Sequence, residues 1–209
     1  MSNLITEADE IRWFEHIKQI ISRQIDERQQ KKTEVSGELA ELNKLIAQSR
    51  GDMDGIERNA LRQMASMDHY RKSSAVESID RLLRMSKSPY YGRVDFHPDD
   101  NGGLHRVYIG VTGLQGSDGR MLIHDWRAPI CSLFYDYEVG PAEYDSPSGV
   151  VDGSIALKRQ YKIDNGEITF ILDSSVAITD TILLDALAQN ASTKMRQIAR
   201  TIQKEQNQI

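Results

Sequence analysis

The chain opens with apolar residues that recur every three or four positions. Phe14, Ile17, Ile21 and Ile25 begin the series, and Val35, Leu39, Leu42 and Ile46 continue it. This spacing predicts a long helix from about Ala8 to Arg50 with a coiled-coil seam along one face. Residues from Asp26 to Glu34 are almost wholly polar, so the seam is interrupted there. A turn cluster, Arg50-Gly51-Asp52-Met53-Asp54-Gly55, follows. A return helix then carries Ile56, Leu61, Met64, Met67, Val76, Ile79 and Leu83. It ends at Ser88-Pro89, because a proline drives the residue before it out of the helical region. An arm of this length reaches about 60 Å at 1.5 Å per residue. It buries only a thin stripe, so its expected purpose is reach.

After Pro89 the period changes from three or four to two. Tyr91 to Phe96, Arg106 to Thr112, Met121 to Trp126 and Ser132 to Tyr137 read as strands. His97 to Gly103 reads as a turn. Asp118-Gly119 predicts a tight type I′ hairpin, and Gly140 to Gly153, rich in proline and glycine, reads as a loop. Ile155 to Asp164 and Glu167 to Leu172 flank Asn165-Gly166, a strong hairpin signal. Together these predict a small antiparallel meander, partly rolled into a barrel. The helical period returns at Thr181 to Ala188, capped by Thr179 or Asp180, and again from Ser192 to the end. The fold class is α+β, in three parts. Residues 1–88 form the antiparallel coiled-coil arm, 89–178 the antiparallel β domain, and 179–209 a helical segment. The last helix lacks a stop signal, so the chain reads as the N-terminal piece of a longer protein.

Composition narrows the class. The net charge is −5 with both signs interspersed along the helices, which argues against the whole chain gripping nucleic acid. No apolar run nears the roughly 20 residues that span a bilayer. The N-terminus lacks the basic and apolar regions of a signal peptide. The single cysteine, Cys131, excludes an internal disulfide and a cysteine zinc site. These features favour a cytoplasmic protein without a membrane partner. The five histidines lack metal-ligand spacing, and no Gly-x-Ser-x-Gly nucleophile motif is present.

Several stretches then stand together: Tyr91-Gly92-Arg93-Val94-Asp95-Phe96, Tyr108-Ile109-Gly110, Asp125-Trp126-Arg127-Ala128-Pro129-Ile130, Leu157-Lys158-Arg159-Gln160, and Thr201 to Ile209. The chain resembles the N-terminal part of the HelD family, bacterial superfamily 1 ATPases related to UvrD and Rep helicases that act on RNA polymerase. The resemblance implies a Walker A loop downstream, holding ATP and Mg²⁺. No G-x-x-x-x-G-K-[ST] occurs in these 209 residues, so no catalytic residue is assigned and no ATP hydrolysis is expected of this stretch alone. It also implies that the arm enters the secondary channel of RNA polymerase core and helps release stalled polymerase from nucleic acid, with DNA as a further partner through the motor domains.

Candidate residues divide between this reading and plainer ones. Gln206 matches the family's glutamine that reads adenine of ATP, since a carboxamide complements the base edge. It also reads as a solvated helix glutamine. Asp52, Asp54 and Glu57 crowd the tip. They read either as carboxylates delivered toward the polymerase's magnesium or as an ordinary turn with Asp54 as a cap. Asp52-x-Asp54-Gly55 lacks the twelve-residue spacing of a calcium loop. Trp126 reads as sheet core or as a base-stacking ring, and Arg127 as the partner of Asp125 or Asp136. Lys158 and Arg159 lie on opposite faces of a strand, so at most one meets a phosphate, and a salt bridge is the default. Two other classes compete with the polymerase reading: a DNA-gripping accessory region of an ordinary superfamily 1 helicase, and a structural coiled-coil module.

Overall fold

The computed structural model describes residues 7–48, 55–100 and 102–173. The chain is mixed α/β. Helix α1 (Glu7–Gln48) and helix α2 (Gly55–Met85) precede seven strands. These are β1 (Gly92–Pro98), β2 (His105–Gly110), β3 (Leu114–Gln115), β4 (Met121–Asp125), β5 (Gly140–Ser146), β6 (Gly149–Asp164) and β7 (Glu167–Asp173). A 3₁₀ turn (Pro129–Cys131) and helix α3 (Ser132–Tyr135) sit between β4 and β5. The expected tip at 49–54, with Asp52 and Asp54, lies outside the described residues, as do the expected C-terminal helices and Gln206. The chain divides into two compact units, residues 18–83 and the remainder.

In the unit of residues 18–83, Leu39, Leu42 and Ala65 form a buried cluster with Ile46 and Leu61 against it. Arg28 Nε donates to Ser78 Oγ at 2.7 Å. The middle of α1 therefore meets the later part of α2. The stripe on α1 does not stop at the polar stretch. It continues through half-buried Gln24, Arg28 and Lys32 before Val35.

The stripe on α2 differs from the expected one. Met64 and Met67 are 57% and 69% exposed and Ile56 is 81% exposed, whereas Ala65, Ile79 and Leu82 are buried. Two stripes with the same spacing compete on this helix. The one through Leu61, Ala65, Asp68, Lys72, Ala75, Ile79 and Leu82 runs the length of the helix and ends in large apolar residues. The one through Ile56, Met64 and Met67 runs into Ser74, Glu77 and Arg81. The continuous stripe removes more apolar surface from water, so it packs.

In the other unit the sheet order is β3-β4-β2-β1-β6-β5, with β7 paired to β6. Neighbours are antiparallel except β2 and β4, which are parallel. Among the described residues the strand path does not close on itself. The Asn165-Gly166 turn forms as predicted, with φ of 49° and 82° as a type I′ turn requires. The Asp118-Gly119 turn does not take that form. Residues 116–120 make a wider loop in which Gly119 N donates to Gly116 O and only Gly119 has positive φ.

Two segments correct the expectation. Ser132 to Tyr137 is not a strand: Pro129 starts a 3₁₀ turn that continues into α3. Proline suits the start of a helix, where its missing N–H is not needed. Helical geometry sets adjacent Leu133 and Phe134 both into the core beneath the sheet. Gly140 to Gly153 is not a loop but a hairpin of β5 and the first part of β6. Its glycines serve the bends, Gly140 and Gly149 having φ of 131° and 124°. Pro141 is tolerated because β5 ends the strand path.

One face of the sheet packs Val94, Phe96, Val107, Ile109 and Ile155 against Cys131, Leu133 and Phe134. The approach is close. A Cβ on Gly92 would come within 2.4 Å of the Phe134 ring.

The stripe assignment on α2 predicts unequal truncations. Ile79→Ala should cost about 2–4 kcal/mol. Met67→Ala, on the exposed face, should stay within about 0.5 kcal/mol. Urea unfolding followed by circular dichroism reads both, and equal losses would reject the assignment.

Candidate functional site

Among the quoted stretches, Arg93, Asp95, Tyr108 and Arg159 converge on one residue that pattern reading passed over. Glu10, in the second turn of α1, is completely buried. Its Oε1 accepts from Arg93 Nη1 and, at 2.9 Å, from Arg159 Nη1. Its Oε2 accepts from Tyr161 OH at 2.8 Å and Tyr108 OH at 3.2 Å. Arg93 also donates through Nε and Nη2 to Asp95, and Arg159 through Nε and Nη2 to Asp173. Three carboxylates and two guanidiniums thus share one network on the sheet face opposite the Phe134 core.

Aromatic rings wall this network. Tyr90 lies 5.0 Å from both Tyr108 and Tyr161, Trp13 stacks on Tyr108 at 5.0 Å, and Arg93 sits 5.6 Å above the Tyr108 ring. Burial raises the Tyr90, Tyr108 and Tyr161 hydroxyls well above their ordinary pKa. Tyr108 and Tyr161 serve as neutral donors to Glu10, while the buried Tyr90 hydroxyl makes no hydrogen bond among the described residues. Burial opposes the charge on Arg93, but the hydrogen bonds to Asp95 and nearby negative charges outweigh it, and its pKa rises. Hydrogen bonds to Asp173 raise Arg159, and the same bonds lower Asp173.

A signal for Glu10 was present in the sequence. Glu10, Phe14, Ile17 and Ile21 share one stripe of α1, so a carboxylate sits where an apolar residue belongs. Arg93 and Asp95 alternate with Val94 and Phe96, and that pattern is identical for a solvated face. Only the covering helix turn makes the polar face an interior.

The Asp125-Trp126-Arg127-Ala128-Pro129 run closes a second, smaller structure. Trp126 is half-buried against the sheet core, as the core reading expected. Trp126 N donates to Gly110 O at 2.9 Å and Ala128 N to Asp125 O at 2.8 Å. Arg127 pairs with Asp125, one of the two acids expected, through Nε at 2.8 Å and Nη2 at 2.7 Å. The Arg127 hydrogen bond holds the Asp125 carboxyl below its usual range. Asp125 O also accepts from the Cys131 thiol at 3.2 Å. Burial, aided by the nearby Asp125 charge, pushes that thiol's pKa up to about 12.

Lys158 and Arg159 do point to opposite faces. Lys158 lies 5.6 Å above the Phe134 ring and donates to Tyr137 O, while Arg159 joins the Glu10 network. Both are buried, so neither is presented to a phosphate. A cleft of about 440 Å³ lines Ile168 to Ile171, but the charges at its edge, Arg159 and Asp173, bind each other. Among the described residues no group of three His, Cys, Asp or Glu side chains is placed to hold a metal, and no helix is long and apolar enough to cross a membrane. Of the expected tip carboxylates only Glu57 is described; it is exposed in the first turn of α2, where a negative charge favours the helix dipole.

Two measurements test this account. Removing the central carboxylate leaves two buried guanidiniums short of charge, so Glu10→Ala should cost about 3–5 kcal/mol in urea unfolding. A loss below about 1 kcal/mol would show that the network is not a linchpin. Native Cys131 should resist a thiol reagent at pH 8 and react once the chain is unfolded. Prompt labelling of the native chain would contradict its burial.

Among the described residues, the stretches around Arg93, Tyr108 and Arg159 hold the sheet to the first turns of α1. No curated protein matches the chain in comparison. The family described as DNA helicase IV HelD, N-terminal domain, matches residues 7–191. With that match across most of its length and the motif residues joined in one network, the chain belongs to the DNA helicase IV HelD family, as its N-terminal domain.

Proposed function

We infer that this domain is the polymerase-binding region of a HelD-like, ATP-driven helicase. In this reading α1 and α2 form an antiparallel coiled-coil arm that enters the secondary channel of RNA polymerase core. Asp52, Asp54 and Glu57 approach the polymerase's magnesium as hard oxygen ligands. Gln206 contacts adenine when a downstream motor domain supplies the phosphate loop. ATP-driven motion then moves the arm and helps strip stalled polymerase from nucleic acid. The step within this domain is mechanical and steric, with no covalent chemistry.

The observation that carries this reading is the unit of residues 18–83. It consists of two long helices joined by one thin seam, with no further layer of its own in the described residues. A unit built that way offers surface and reach in place of a core. The family match supports a helicase-like parent, and the absence of a phosphate loop from the sequence leaves binding as this domain's share. The cations of the β unit that were candidates for phosphate contact are bonded internally, which weighs against a nucleic-acid grip there.

Retention of core RNA polymerase on the immobilised chain tests the reading. We expect retention, and its loss on deletion of the hairpin from Ile17 to Leu82. Protection of Cys131 in the deletion variant verifies that the β unit still folds. Intact polymerase binding together with a fall in DNA binding would favour the DNA-gripping alternative. No polymerase binding by the full chain would reject the proposal.

A further inference from the structure

The face of α2 turned away from the buried seam is unusual for a solvated helix. Ile56, Ala60, Gln63, Met67, Tyr70 and Ser74 follow one another at alternating steps of four and three, with Met64 beside them. All are exposed, Ile56 at 81%, Met64 at 57%, Met67 at 69% and Tyr70 at 75%. Four large side chains at such exposure present several hundred Å² of contiguous apolar surface. A typical monomer's largest patch is about 300–600 Å² and is often a contact site. One border of the face, Asn59, Ser66 and Ser73, is uncharged, and charge depletion marks the centre of an interface. The other border carries one acid, Glu57, and one base, Arg71, on either side of Met64. Arg71 Nη1 donates to Asp68 Oδ1 at 3.1 Å, an exposed pair of little strength that its other donors can supplement.

This arrangement reads the same in both directions. A two-fold axis near Gln63 and Met64 sets Ile56 against Tyr70 of the partner subunit and Ala60 against Met67 of the partner subunit, small against large. It also sets Glu57 against Arg71 of the partner subunit, twice by symmetry. A two-fold interface requires such self-complementarity. Two such patches together present on the order of 1,200 Å², the lower bound of what a specific interface buries. We propose that the 56–74 face of α2 is a self-association surface through which two copies of this chain pair antiparallel. The heptad-like steps suit such pairing, and Glu57 with Arg71 fixes register and orientation. This goes beyond the polymerase reading and does not depend on it.

Sedimentation equilibrium of the 209-residue chain over about 1–200 μM tests it. We expect a reversible monomer–dimer equilibrium. Met67→Glu should weaken it at least about tenfold, as loss of a central apolar contact does, with unchanged helical circular dichroism, since glutamate is a good helix former. Glu57→Arg and Arg71→Glu should each weaken it, and the double exchange should recover it, which only pairing of these two positions across copies explains. A monomer throughout, or a dimer indifferent to all four variants, overturns the proposal. A monomer whose Met67→Glu variant loses polymerase retention assigns the face to the polymerase and also overturns it.

Discussion

The unit containing the sheet depends on a single carboxylate taken fully out of water. Burying Glu10 costs several kcal/mol unless its charge and every lone pair are matched. The match comes from Arg93 and Arg159 on one oxygen and from two tyrosine hydroxyls on the other. Each guanidinium in turn needs a second carboxylate, supplied by Asp95 and Asp173. The network is satisfied only when the second turn of α1, β1, β2, the later half of β6 and the end of β7 are all in place. Such a requirement makes assembly of these elements all-or-none.

This explains why residues far apart in the chain act as one motif. Arg93 and Asp95, Tyr108, and Arg159 look like separate surface-type positions, yet they are partners of one buried group. The Asp125 to Pro129 run has a similar character: it turns the chain from β4 into α3 and sets Cys131, Leu133 and Phe134 beneath the sheet. In both places every charged donor singled out is bonded within the unit.

The helical unit follows different physics. Its seam is apolar at its ends and polar through Gln24, Arg28 and Lys32 on α1 and Asp68 and Lys72 on α2. The Arg28 bond to Ser78 gives the polar part of the seam a specific contact. Polar groups at seam positions lower stability while selecting one register. A helix pair with so thin a seam leaves most of its surface exposed.

Periodicity and turn chemistry alone determined much of this protein. Local physics decides those features: the two helices, β1, and the β6–β7 hairpin with Asn165-Gly166; it left Arg127 two candidate partners, Asp125 and Asp136, and the fold selected Asp125. The tertiary structure decided everything that required comparing alternatives of equal local merit. Two stripes of equal spacing compete on α2, and only packing against α1 selects the one through Ala65 and Ile79. Alternating Arg93 and Asp95 look solvated until Glu10 covers them. Gly140 to Gly153 looks like a loop until the neighbouring strands supply ladder partners for its backbone. Burial and non-local pairing are properties of the assembled chain, and no window of sequence contains them.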